Sequence, residues 1–217
     1  YPNCWRTDKP ILYYPLDSWF VKMTAVRDRM VANNNEINWK PKATGEGRFG
    51  NWLQNANDWN LSRSRFWGIP LPIWRSEDGK QMKVIGSLEE LDSEIQSAVK
   101  AGIQTHNPLI DFEVGNYEES NYEKIDLHKN TVDAIILVGE DGHTPLHREN
   151  DLIDVWFDSG SMPYAQNHYP FDESKRGFVE DNIPANFIAE GLDQTRGWFY
   201  TLHVLSAALF GRPAFEN

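Results

Sequence analysis

The chain has 217 residues, 40% of them hydrophobic, and a net charge of −11: length enough for one large domain, or one and a half smaller ones, with a real core. No apolar run reaches membrane-span length, no secretory signal opens the chain, and a single cysteine, Cys4, excludes an internal disulfide, so a cytoplasmic setting is the default. The charge is divided unevenly, with 11 Lys+Arg against 6 Asp+Glu in residues 1–75 and 10 against 26 in residues 76–217.

Residues 1–22 read as loop and short strands punctuated by proline. Lys22 to Asn33 has helical spacing, with Met23, Val26 and Met30 on one face and the run NNN at its end. GEGRFGNWLQNAN predicts a second short helix, and FWGIPLPIW an edge strand or extended segment. Any nucleic-acid surface belongs to this first third, where Arg48, Arg63, Arg65 and Arg75 lie among Trp52, Trp59, Trp67 and Trp74. The acidic overall balance argues against a dedicated nucleic-acid module, so most of these aromatics are expected in the core.

Residues 76–150 read as a small, acidic α+β insertion. EDGK is a turn between two short strands, and Ser87 with Glu90 forms a capping box. Leu88, Leu91, Ile95 and Val99 make one apolar stripe running to Gly102. The stretch TVDAIILVGEDGHTPLH has the pattern of a hairpin. His128, His143 and His147 are expected at the surface, since no cysteine joins them and their spacing fits no known zinc ligand set.

Residues 151–217 return to α/β character. DLIDVWFDSGSMPYAQ predicts an apolar strand running into an Asp-Ser-Gly turn, and Ser159 lacks the glycine elbow of a hydrolase nucleophile. Ala185 to Ala189 predicts a short buried strand with Glu190 at its end, Gly191 a break, and Asp193 a helix N-cap. Trp198, Leu202, Leu205 and Leu209 then recur at helical spacing until Gly211 and Pro213. Strand, glycine turn and capped helix are how an open parallel α/β sheet builds a crevice at its strand ends. The local pattern equally fits an ordinary capped helix with solvated Glu190 and Gln194.

Three stretches in this order, DWNLSRSRFWGIPLPIW (58–74), DVWFDSGSMPYAQ (154–166) and FIAEGLDQTRGWFYTLHVLSAALFG (187–211), resemble the second half of the catalytic domain of class I isoleucyl-tRNA synthetases. The opening YPNCWRTDKPILYYPLDSWFV resembles the return strand of that family's editing insertion. Valyl and leucyl relatives share the first two elements but not EGLDQTRGWF. The resemblance implies a partial Rossmann-type catalytic domain: 1–22 as the tail of the editing insertion, 23–75 as a catalytic segment, 76–150 as the acidic insertion and 151–217 as the second half of the catalytic fold. It implies a parent, expected to be a monomer, that makes isoleucyl-adenylate from isoleucine and ATP (with Mg2+) and charges tRNA(Ile).

By position, the resemblance puts Glu190, Gly191, Asp193 and Gln194 around the aminoacyl-adenylate, with Trp156 and Trp198 walling the isoleucine pocket. Such a pocket separates isoleucine from valine by one methylene, worth about 1–3 kcal/mol, which is why the family also edits. Arg63 and Arg65 are placed either at the acceptor end of tRNA or in structural ion pairs. Some family members pair two cysteines on zinc near Cys4, but the partner position here is Thr7, which puts zinc binding in doubt. Neither the His-Ile-Gly-His nor the Lys-Met-Ser-Lys-Ser signature occurs, and both stabilise the transferring phosphate. The chain starts on Tyr1 rather than Met, so it is expected to be a piece of a longer protein, unable to activate isoleucine alone. Competing readings are a Trp-rich binding module, an editing hydrolase, and a valine- or leucine-specific sister enzyme.

Overall fold

Short β-hairpins and an apolar helix divide the chain into two packed bodies in the computed structural model, which describes residues 1–217. After an irregular opening, β1 (Phe20–Val21) leads through a 3-10 turn (Met23–Ala25) into α1 (Arg27–Asn34), close to the predicted helix. A π-helical turn (Thr44–Phe49) runs into α2 (Gly50–Gln54), and then come β2 (Trp59–Asn60) and β3 (Ser62–Arg63).

The first body is built on β4 (Ile73–Arg75), β5 (Met82–Val84), α3 (Leu88–Lys100), α4 (Glu119–Tyr122), α5 (Lys129–Val132), β6 (Ile136–Val138) and β7 (Pro145–Arg148). Its sheet has the order β5-β4-β7-β6, antiparallel throughout, with Leu137 opposite Leu146 as the hairpin pattern predicts. Short turns join the β4–β5 and β6–β7 pairs, and a turn of that length permits only antiparallel pairing. The sheet packs on α3 around Trp74, Leu91, Ile95, Leu137 and Leu146. The capping box forms: Ser87 Oγ accepts from the Glu90 N–H at 3.0 Å, while Glu90 accepts from the Gly86 N–H, one residue before the cap. Val99 departs from the predicted stripe. It is exposed, and Ala98 takes the buried place.

The second body holds β8 (Leu152–Ile153), α6 (Val155–Ala165), α7 (Glu173–Asp181), a 3-10 turn (Leu192–Arg196) and α8 (Trp198–Leu209). β1 pairs with β2, and β3 with β8, both antiparallel. The helix α8 is buried on nearly every side and supplies Val204 and Ala207, Phe199 and Leu202, and Leu205 to three separate clusters, as befits a core helix apolar all round. Leu209, the last member of its predicted stripe, is exposed. Gly211 ends the helix at φ +73° with its N–H on Ser206 O.

Two strand expectations give way. Only Leu152 and Ile153 are strand in DLIDVWFDSG; Asp154 instead caps α6, its Oδ1 accepting from the Trp156 N–H. Gly160 and Pro163, residue types that ordinarily break helices, lie inside that one. A side chain at Gly160 would meet Thr201 of α8 at 2.9 Å, so the glycine is what lets α6 and α8 touch. The predicted strand Ala185–Ala189 reduces to one parallel bridge, Ala185 to Phe215, because only Ala185 exchanges bonds through both its N–H and its carbonyl with the 214–216 segment. The chain is mixed α/β as expected, but every strand ladder in it is antiparallel, and the parallel pairing expected of residues 151–217 is confined to that bridge.

Candidate functional site

Beyond the bridge at Ala185, an extended stretch delivers Glu190 and Gly191 to the surface, both exposed. The buried strand end expected for Glu190 is absent, because the pairing stops before it: Ile188 still bonds to Asn217 O and is half-buried, while Ala189 and Glu190 are exposed. The backbone then winds into the 3-10 turn and passes through Gly197 into α8.

The expected cap, Asp193, does not cap the helix. The 3-10 turn intervenes and moves the start of α8 to Trp198, whose N–H donates to Gln194 Oε1 at 2.9 Å. Asp193 acts one step back: its Oδ2 accepts from Gln194 Nε2 at 3.0 Å, which orients the amide so that its oxygen faces the helix. A Cβ at Gly197 would lie 2.7 Å from Gln194 Oε1 and 3.2 Å from the Trp156 ring, so a side chain here would push the Gln194 amide off the helix start.

Trp198 is held by a device built into α6. Pro163 has no N–H, which leaves the Ser159 carbonyl, four residues earlier, without its helical partner. The Trp198 indole N–H donates to that oxygen at 2.9 Å. Trp198, Leu202, Met162, Phe178, Ile188 and Ala214 line a cavity of about 300 Å3 between α6, α7 and α8. Trp156, 41% exposed, reaches the turn from the first turn of α6 and is not among that cavity's walls. The two tryptophans predicted to share a pocket both adjoin Gly197, but only Trp198 lines the cavity.

The turn is also clamped from the 44–54 segment. Thr195 is fully buried; its hydroxyl donates to Leu192 O at 2.7 Å and accepts from Arg48 Nε at 2.9 Å. Next to it the Arg196 guanidinium lies over the Trp52 ring, 4.7 Å from its centroid. No local sequence signal links Thr195 to Arg48; they are 147 residues apart, and only tertiary contact joins them.

Arg63 and Arg65 border a second opening of about 500 Å3, with Trp67, His128, Asp154 and Asp158. Arg63 is a structural ion pair: its guanidinium is 2.7 Å from the buried Asp154, which also accepts from Trp59 Nε1 at 2.9 Å. Arg65 is exposed. Trp67 stacks on His128 at 4.1 Å. Burial, with the Asp154 charge behind it, pushes the Asp158 carboxyl above its ordinary value, and Asp158 Oδ1 has no hydrogen-bond partner. His128, His143 and His147 are all exposed, and the Ser159 hydroxyl bonds only to the Trp156 carbonyl.

Residues 7–217 match the family described as tRNA synthetases class I (I, L, M and V). The isoleucine–tRNA ligase of Porphyromonas gingivalis is 61% identical over 100% of this chain and 19% of its own length. That of Cytophaga hutchinsonii is 60% identical over 100% of this chain and 18% of its own. The cytoplasmic isoleucine–tRNA ligase of Caenorhabditis elegans is 47% identical over 100% and 17% respectively. The chain therefore spans less than a fifth of the length of these relatives.

Proposed function

The chain belongs to the class I tRNA synthetases (I, L, M and V), and from that membership we propose that the whole protein is a cytoplasmic isoleucine–tRNA ligase. It forms isoleucyl-adenylate from isoleucine and MgATP, passes isoleucine to tRNA(Ile), and edits mischarged valine. In this reading residues 1–22 close an editing insertion, 23–75 and 151–217 belong to a Rossmann-type catalytic domain, and 76–150 is an insertion on it. The protein acts as a monomer, and Cys4 is assigned no zinc.

The observation that carries this reading is the 190–198 turn. Glu190 and Asp193 are exposed carboxylates suited to an ammonium and ribose hydroxyls, and Gly191 lets a ligand approach the backbone. Gln194 holds the helix start, and Trp198 offers a rigid apolar wall fixed at its indole N–H. Trp156, beside Gly197, is the second wall, brought against Trp198 by the bound ligand. Arg65 is the free cation suited to a tRNA phosphate, whereas Arg63 is engaged by Asp154.

The test is calorimetric titration with a non-hydrolysable isoleucyl-adenylate analogue, with the valyl analogue and Trp198→Ala alongside. Saturable binding that prefers the isoleucyl form and weakens on the order of tenfold or more in the variant is expected. Equal affinity for both analogues, unaffected by Trp198→Ala, refutes the pocket assignment.

A further inference from the structure

The π-helical turn Thr44–Phe49 is an unusual element, and its geometry has identifiable causes. Gly50 is needed because a Cβ there would lie 2.7 Å from Gly45 O, and a Cβ at Gly45 would collide with the Trp39 ring. Asn34 locks the arrangement, donating to Gly45 O at 3.0 Å and accepting from Trp39 Nε1 at 2.8 Å. A π turn carries one more residue than an α turn, which rotates the downstream side chains by about 100° around the axis. Arg48, within this turn, meets Thr195, and Trp52, in the helix that follows, meets Arg196.

Two neighbouring residues of the 192–196 turn are thus held from one side. Thr195 has no freedom, being fully buried and bonded both to Leu192 O and to Arg48. Asp193 and Gln194 sit directly before it, with Asp193 exposed. We propose that Arg48 is a positioning residue, which through Thr195 sets the aim of Asp193 and Gln194 toward the aminoacyl-adenylate. This rests on the function proposed above. Arg48 touches no substrate in this scheme. Its Nε–H donates side-on to a hydroxyl, a geometry that a lysine ammonium does not reproduce.

The experiment uses the full-length ligase and isoleucine-dependent pyrophosphate exchange. Arg48→Ala and Thr195→Val are each expected to lower kcat/KM for isoleucine on the order of tenfold, since small misplacements of binding groups carry effects of that size or larger. The double variant is expected to be no worse than Thr195→Val alone, because the Arg48 contact is already gone there, along with the bond to Leu192 O. Arg48→Lys stays impaired, Thr195→Ser retains activity, and melting temperatures separate these effects from loss of fold. Additive losses, or exchange that Arg48→Ala leaves unchanged, overturn the inference alone. Absence of exchange by the unmodified ligase overturns the proposed function and the inference with it. Where Arg48→Ala does not fold, Thr195→Val against Thr195→Ser decides, and equal kinetics for that pair overturn the inference.

Discussion

His203 shows how much one residue depends on its surroundings. In sequence it is a polar interruption of an apolar helix; in the structure it is fully buried, its ring edge-on to Phe49 at 5.4 Å. Its Nε2–H donates to Met30 O at 2.8 Å and ties α8 to α1, while Nδ1 has no partner. Burial lowers its pKa to about 4, against a modest opposing pull from the Met30 carbonyl. The unfolded imidazole titrates near 6.5, so between these values the unfolded chain binds more protons and stability rises with pH. The contribution is complete above about pH 6.5 and is lost as pH falls toward 4, to a total of about 3 kcal/mol. Urea unfolding at pH 7 and at pH 4.5 measures it, with His203→Gln as the variant that cannot charge. Equal pH dependence in both proteins refutes the assignment. Glu190, Asp193 and Gln194 were legible as a polar group around a glycine, but the division of labour between Asp193 and Gln194 was not, because a side-chain cap depends on where the helix begins.

Asp154 governs an element rather than a residue. Its carboxylate starts α6, holds Trp59 and pairs with Arg63, so it joins α6 to β2 and β3 at one buried point. Asp154→Ala is expected to lower stability by about 2–4 kcal/mol, since it removes a cap and leaves two donors short of an acceptor. Asp154→Asn, which keeps the shape and one acceptor, is expected to lose less. Denaturant midpoints of the two variants check this, and a loss under about 1 kcal/mol for the alanine contradicts the role given to Asp154. The same element explains why the strand expected to run into an Asp-Ser-Gly turn gives way to a helix over 155–165. Its glycine and proline do not break α6; one admits Thr201 of α8, and the other releases the Ser159 carbonyl for Trp198. Breaker residues signal loops only where no neighbouring element uses the space or the acceptor they leave.

At the scale of the molecule, the buried residues form four clusters in two groups. One lies within residues 74–146, around Trp74 and Ile95; the others gather on α8. Native-state hydrogen exchange is expected to show two protection blocks with different opening free energies, one over β4–β7 and α3, the other over α1 and α8. A single common value for both contradicts that division. The capping box, hairpin and acidic charge of residues 76–150 were readable because each depends on residues close in sequence.

Legible along the chain were the mixed α/β class, helices expected over 22–33 and from Leu88 to Gly102 and found over 27–34 and 88–100, the hairpin within 131–147, and the motifs by which the chain resembles its family. These arise from periodicity, local hydrogen bonding and residue order, which are properties of neighbours along the chain. Tertiary structure alone decided that Trp198 is held through Pro163 and Ser159, that Arg48 grips Thr195, that Arg63 belongs to Asp154, and that the 185–189 segment makes one parallel bridge. Each of these joins groups far apart in the chain. Their partners are chosen by packing, which places a donor beside whichever acceptor the fold has left without one.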